Sequence, residues 1–304
     1  MAVRGRRQRV KGQGLSRTEL GVVLIVPSLL LIALVSLYPF FRTLWNSLHS
    51  IRLNVPAAGQ PFVGIKNYVT LFGTARFLNS LALTFLFAVS FVSLQLMVGL
   101  AIAQVLNMKF KLRALVRATI LIPWAMALVI TAILWQWMYN AVFGIINAMF
   151  VGIGILKAPI DFLGISGLSA YFSVMAVELW QNTPFMAIIL LAGLQGIPSE
   201  LYEAAKIDGA GRWVSLWRIT VPQLKHAILV ALLFRSIDAI RAFDLLFVMT
   251  QGGPGTATEI GSLYSYKLLF TFLDFGRGSA STMVMSVITI ALAILYIKVI
   301  STKD

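Results

Sequence analysis

Six runs of apolar residues, each bounded by polar or charged positions, organise this chain of 304 residues. Each is long enough to cross about 30 Å of hydrocarbon as a helix rising about 1.5 Å per residue. They predict membrane-spanning helices over 20–41, 81–106, 118–138, 171–194, 227–249 and 280–300. Basic residues fix the sidedness, because Lys and Arg accumulate in cytoplasmic segments. The segments 1–19, 107–117, 195–226 and 301–304 hold 15 Lys and Arg in 66 positions, whereas 42–80, 139–170 and 250–279 hold 7 in 101. The pattern predicts an all-α membrane protein with both termini in the cytoplasm. Lys109, Lys111, Arg113 and Arg117, with no acid between them, suit anionic lipid headgroups. Trp135, Trp137 and Tyr139 fall at the outer end of the third run, where an interfacial aromatic belt is expected. Among 42–73, only an outer loop is predicted, and the chain shows no internal repeat.

Composition agrees with the pattern. The chain is 59% hydrophobic and 12% charged, against about 25% charged in soluble domains. With no cysteine there is no disulfide framework, and His49 and His226 alone supply neither a metal site nor a Cys/His pair. No catalytic constellation is recognisable and no metal ligand set is expected. A net charge of +14 raises the question of nucleic acid, but Arg4, Arg6, Arg7, Arg9, Lys11 and Arg17 lie in a short tail directly before the first apolar run. That placement predicts a basic cytoplasmic tail over 1–19, and no nucleic-acid partner. No small-residue cleavage site follows the first run, so 20–41 reads as an uncleaved first helix.

The segment 195–226 is long for a connection and structured in composition. Pro198 and Ser199 offer a helix start, Glu200 to Ile207 are good helix formers, and Gly209 and Gly211 allow a turn. A second short helix is predicted from Arg212, with Trp213, Leu216 and Trp217 on one face, closed by Pro222. Such a helix, turn, helix either docks another protein or lies on lipid headgroups.

Charged residues within spans are costly and mark function or partnership. The fifth run carries Arg235, Asp238, Arg241 and Asp244 at i, i+3 steps with alternating sign, so that each Arg can pair with an Asp along one helix. The fourth run adds Glu178, Trp180, Gln181, Asn182 and Thr183 ahead of Pro184, whose missing N–H frees a carbonyl near residue 180. With Phe243, these groups form a candidate substrate pathway: Glu178, Trp180, Asn182, Thr183, Asp238, Arg241, Phe243 and Asp244. Carboxylates and amides bond sugar hydroxyls, and aromatic faces pack on a pyranose. The alternative is structural, with the charges locking helix to helix, Arg235 and Asp238 first because they sit nearer the cytoplasmic end.

Glu203-Ala204-Ala205, three residues, Gly209, nine residues, then Ile219-Thr220-Val221-Pro222 resembles the EAA signature of type-1 (MetI-like) ABC importer membrane subunits, with Val221 where Leu is usual. The stretches 61–68 and 252–259 agree. The chain resembles the first membrane subunit of maltose, trehalose and glycerol-phosphate importers. The resemblance implies a type-1 transmembrane domain over 74–300 with its EAA loop at 198–222. It implies coupling helices in which Glu203, Ala204, Ala205, Asp208, Gly209 and Pro222 engage a cytoplasmic ATPase. It also implies the partners: two ATPase subunits that bind ATP and Mg, a second related permease subunit, and an extracytoplasmic solute-binding protein facing the outer loops. The chain has no Gly-x-x-x-x-Gly-Lys-Ser/Thr, so the expectation is a permease without its own ATP site or cofactor, embedded in lipid in the cell membrane. A disaccharide such as trehalose or maltose is the expected solute, because a dianion such as glycerol-phosphate would want uncompensated positive charge. An ion-coupled secondary transporter built on Glu178 is the competing class.

Overall fold

The computed structural model describes residues 17–301, so the six basic positions of the tail, Arg17 apart, lie outside the described residues. Every regular element among them is helical. Helix α1 (Thr18–Ser47) is followed by α2 (Lys66–Phe72), α3 (Ala75–Asn107), α4 (Arg113–Ala125), α5 (Leu128–Met138), α6 (Ile145–Gly152) and α7 (Gly167–Gln195). Then come α8 (Ser199–Ile207), α9 (Arg212–Gln223), α10 (Lys225–Ile240), α11 (Asp244–Thr250), α12 (Gly261–Tyr266) and α13 (Phe275–Ser301). Four helices, α1, α3, α7 and α13, are each long and apolar enough to cross a membrane alone. The α3 helix has 33 residues, or about 50 Å of rise.

Two of the predicted runs are not single helices. The third is broken between α4 and α5, which meet at 91°. Met126 and Ala127 are extended there, and the Gln181 amide donates to the Met126 carbonyl at 3.0 Å, satisfying a group the break releases. The fifth run ends its first helix at Ile240, and Arg241–Phe243 separate α10 from α11. No Gly or Pro marks this break. Between the runs, the segments 42–80, 139–170 and 250–279 contain α2, α6 and α12, where the residue pattern predicts nothing beyond a loop over 42–73.

The core is the α3–α7 pair, with α10 across both. Phe87, Phe91, Met186 and Leu190 are buried in it. Gly99 allows the close approach, since a Cβ there would sit 2.7 Å from Met186 Cγ. By contrast, the apolar residues of the first part of α1 are exposed, as suits a lipid-facing helix. Of the expected aromatic belt only Trp137 is exposed. Tyr139 is buried and donates to the Ser173 carbonyl at 3.2 Å, and Trp135 packs edge-on against Trp180 at 5.5 Å.

The stretches 61–68 and 252–259, with their neighbours, stitch the helix ends together. Buried Asn67 donates to the carbonyls of Ser47 and His49 at 2.8 and 2.9 Å, and Tyr68 shares a hydroxyl bond with Ser47 at 2.7 Å. Glu259, 1% exposed, takes Arg76 on both oxygens at 2.6 and 2.7 Å and Lys267 at 2.5 Å. Burial pushes the Glu259 carboxyl up, but the hydrogen bonds from Arg76 and Lys267 outweigh it and hold the group below its ordinary value.

Candidate functional site

The break after Ile240 shapes a polar hollow of about 380 Å³ between the start of α5, the middle of α7 and the α10–α11 junction. Helix spacing brings Glu178 and Asn182 together, one turn apart on α7, and the Asn182 amide donates to the Glu178 carboxylate. Across from them, Arg235 is held from behind. Its Nε donates to Gln95 Oε1 at 2.9 Å and its guanidinium lies 5.5 Å over the Phe91 ring, both on α3. Its Nη1 reaches Asp238 at 2.9 Å, with Arg235 5% and Asp238 59% exposed in their side chains.

The regular alternation expected along one helix holds for that first step alone. Because the chain leaves the helix at Arg241, neither Arg241 nor Asp244 pairs with another charge among the described residues. Both line the hollow, together with Phe243. Counting Glu178, the lining holds three carboxylates and two guanidinium groups, a formal charge of −1 rather than the balance of the α10 stripe. Phe243 stacks on Phe247 at 5.2 Å and leans on Tyr266 at 5.0 Å. With Arg241 it separates the polar hollow from a larger apolar one of about 570 Å³ beside α12 and α13.

Six of the eight expected pathway residues thus meet in one place: Glu178, Asn182, Asp238, Arg241, Phe243 and Asp244. Trp180 and Thr183 do not. Trp180 lies on another face of α7 against Trp135, and Thr183 is buried with its hydroxyl unpartnered. Sequence reasoning missed Gln95 and Leu128. A Gln in the middle of the apolar 81–106 run was the available signal for Gln95, since intramembrane amides seek partners on other helices.

The second candidate site is the α8–α9 pair. Glu203, Ala204, Asp208 and Pro222 are exposed and Ala205 is half-buried. Ser199 gives no side-chain cap. Gly209 turns the chain with φ +80° and has open space around it, while the Ala210 N–H closes the helix end on the Ala205 carbonyl at 2.8 Å. The helix running into Pro222 widens to a π turn over Leu216–Thr220. Tyr202 and Thr220 hydroxyls join the two helices at 3.0 Å. Ile207, Trp213 and Trp217 are all exposed, so the pair presents an apolar surface with no cover from its own chain.

Residues 95–302 match the family described as binding-protein-dependent transport system inner membrane component. The chain is 40% identical over 92% of its length to the trehalose/maltose transport system permease protein of Thermococcus litoralis, 93% of which is covered. It is 35% identical to the sulfoquinovosyl glycerol transport system permease protein of Agrobacterium fabrum, over 94% of this chain and 91% of that one. The fold is shared with a bacterial ABC transporter involved in the import of the acidic polysaccharide alginate, at a TM-score of 0.80 and 21% identity, over 95% of this chain and 97% of that one. Sequence family, helical architecture and apolar spans agree: the chain belongs to the inner membrane components of binding-protein-dependent transport systems, as an integral membrane permease subunit of an ABC importer.

Proposed function

We propose that the sugar carried by this permease is an uncharged disaccharide of the trehalose or maltose kind, and that it passes through the hollow lined by Glu178, Asn182, Asp238, Arg241, Phe243 and Asp244. The observation that carries the reading is the charge of that hollow. A lining whose carboxylates at least match its guanidinium groups offers phosphorylated or sulfonated solutes no uncompensated positive charge, while its carboxylates, amide and guanidinium groups bond hydroxyls and Phe243 offers an aromatic face. The volume of about 380 Å³ falls in the range of about 300–1,000 Å³ usual for small-molecule sites. Similarity to relatives does not separate a neutral from an anionic solute; the lining of the hollow favours the neutral one.

In this reading the chain crosses the membrane six times with both termini in the cytoplasm, the broken α4–α5 pair counting as one crossing and α10 with α11 as another, while α9 stays with α8 on the cytoplasmic side. Of two ATPase subunits, which bind ATP and Mg, one docks on Glu203, Ala204, Ala205, Asp208, Gly209 and Pro222. A second permease subunit completes the pathway, and a solute-binding protein delivers sugar from outside. Ion coupling is disfavoured because Glu178 is not a lone titratable group: Asn182 binds it, and Arg235 and Asp238 line the same hollow.

The test is uptake by the reconstituted complex with its binding protein. Trehalose or maltose transport requires ATP and no ion gradient, and glycerol-phosphate is not carried. Asn182→Ala and Asp244→Asn alter affinity or specificity with the complex still assembled. Loss of assembly instead would assign these residues to helix packing, and uptake without nucleotide would remove the importer reading altogether.

A further inference from the structure

Behind the α8–α9 pair, facing the ends of α3 and α7, lies a hollow of about 690 Å³. Gln104 and Asn107 enter it from α3, Lys206 from α8, and Arg212 and Ser215 from α9. No carboxylate lines it. Neither Lys206 nor Arg212 forms an ion pair among the described residues, so two like charges face one concavity uncompensated. The neighbouring segment 107–117 adds Lys109, Lys111, Arg113 and Arg117 and no acid. Among the described residues no side-chain hydrogen bond or ion pair ties α8 to α3 or α7; its one such tie is Tyr202 to Thr220 of α9. An element expected to pass force to the spans is therefore underlain by a concavity whose charged lining is wholly cationic.

We infer that this gap binds a phosphate-ester anion, supplied in the membrane by the headgroup of an anionic phospholipid. Phosphate oxygens accept from an ammonium and, in bidentate fashion, from a guanidinium, and the Gln104 and Asn107 amides add donors from the opposite wall. One such group would join α8 and α9 to α3 and stiffen the route from the docking face to the spans. The hollow opens at the ends of two membrane-crossing helices, at headgroup depth, where each basic residue adds about fivefold in affinity for an anionic surface. The inference rests on the proposed cytoplasmic placement of the pair.

The experiment uses the whole importer in nanodiscs of phosphatidylcholine with or without a third of phosphatidylglycerol. Native mass spectrometry reads retained lipid, and ATP hydrolysis stimulated by loaded binding protein reads coupling. The wild type retains phosphatidylglycerol and couples better with it. The double variant Lys206→Gln with Arg212→Gln weakens retention by about twenty-fold and loses the lipid response, while Lys206→Arg with Arg212→Lys keeps both. Inorganic phosphate added to neutral discs separates the sources: replacement of the lipid effect by phosphate assigns the site to a free anion, and no replacement assigns it to the headgroup. Equal lipid retention and equal response in wild type and double variant overturn the inference. Should the double variant lose its ATPase subunits, Gln104→Leu carries the same comparison from the wall away from the docking face. A thiol label at residue 207 reacting only from outside would remove the cytoplasmic placement itself, whatever the lipid result.

Discussion

Arg235 shows how one buried charge is tolerated inside a membrane protein. The residue is 4% exposed, and its guanidinium is tethered by Gln95 at Nε, Asp238 at Nη1 and the Phe91 ring beneath. Removing one partner of a buried donor costs about 1–3 kcal/mol because the donor stays behind unpaired. Gln95→Leu is therefore expected to lower the melting temperature of the purified complex and to reduce uptake, though residue 95 does not line the hollow; Gln95→Glu, which keeps an acceptor, restores the stability. An unchanged melting curve in Gln95→Leu would show that Arg235 needs no tether.

Glu259 makes the same point outside the spans, with a pH signature. Its folded value lies below the ordinary 4.5, so the stability from its bonds to Arg76 and Lys267 is complete above the unfolded value and is lost as pH falls through the lower folded one. Glu259→Gln should cost about 1.5–3 kcal/mol, the scale of a charge-assisted bond. In thermal unfolding the gap from wild type stays constant from pH 8 down to about 5 and closes in stronger acid. A gap that closes near neutrality contradicts this assignment.

At the scale of elements, the α8–α9 turn depends on backbone geometry rather than on packing. Gly209 has φ +80° and nothing within reach of an added Cβ, so a larger residue meets conformational strain of about 1–2 kcal/mol before it meets any atom of its own chain. Gly209→Asn, which tolerates the left-handed region, should keep most ATP-driven uptake. Gly209→Trp should abolish it with normal insertion, because the side chain then stands on the docking face. Normal uptake by Gly209→Trp would leave the turn without a role in coupling. This turn was readable in the sequence from Gly209 and its spacing to Pro222, as was the all-helical, apolar character of the chain, because helices satisfy their own backbone groups in lipid. The breaks were not. Met126-Ala127 lies within an apolar run, and Arg241-Ala242-Phe243, like it, contains no residue that ends a helix by itself. Both interruptions depend on partners distant in sequence: Gln181 takes the Met126 carbonyl, and Ser262 donates to the Ala242 carbonyl. Hence the residue types that line the polar hollow were legible, whereas the placement of Trp180 and Thr183 away from it, and the release of Arg241 and Asp244 into it, required the fold.

For the whole molecule, the bent α4–α5 pair decides the topology. If it crosses the membrane, the chain spans six times and residues before and after it lie on opposite sides; if it is re-entrant, they share a side. The following α7, with 29 residues and about 43 Å of rise, must cross in either case. Three exposed positions distinguish the alternatives: Met108 before the pair, Val142 after it and Ile207 beyond α7. The sequence has no cysteine, so Met108→Cys, Val142→Cys and Ile207→Cys each introduce a single thiol into an unmodified background. In a six-span chain a membrane-impermeant maleimide applied to intact cells labels residue 142 and spares 108 and 207, and inverted vesicles give the reverse. A re-entrant pair instead places 108 with 142, opposite 207. The first outcome is expected because Lys109, Lys111, Arg113 and Arg117 follow residue 108 directly, Lys206 and Arg212 flank 207, and the segment 139–170 holds Lys157 as its one basic residue.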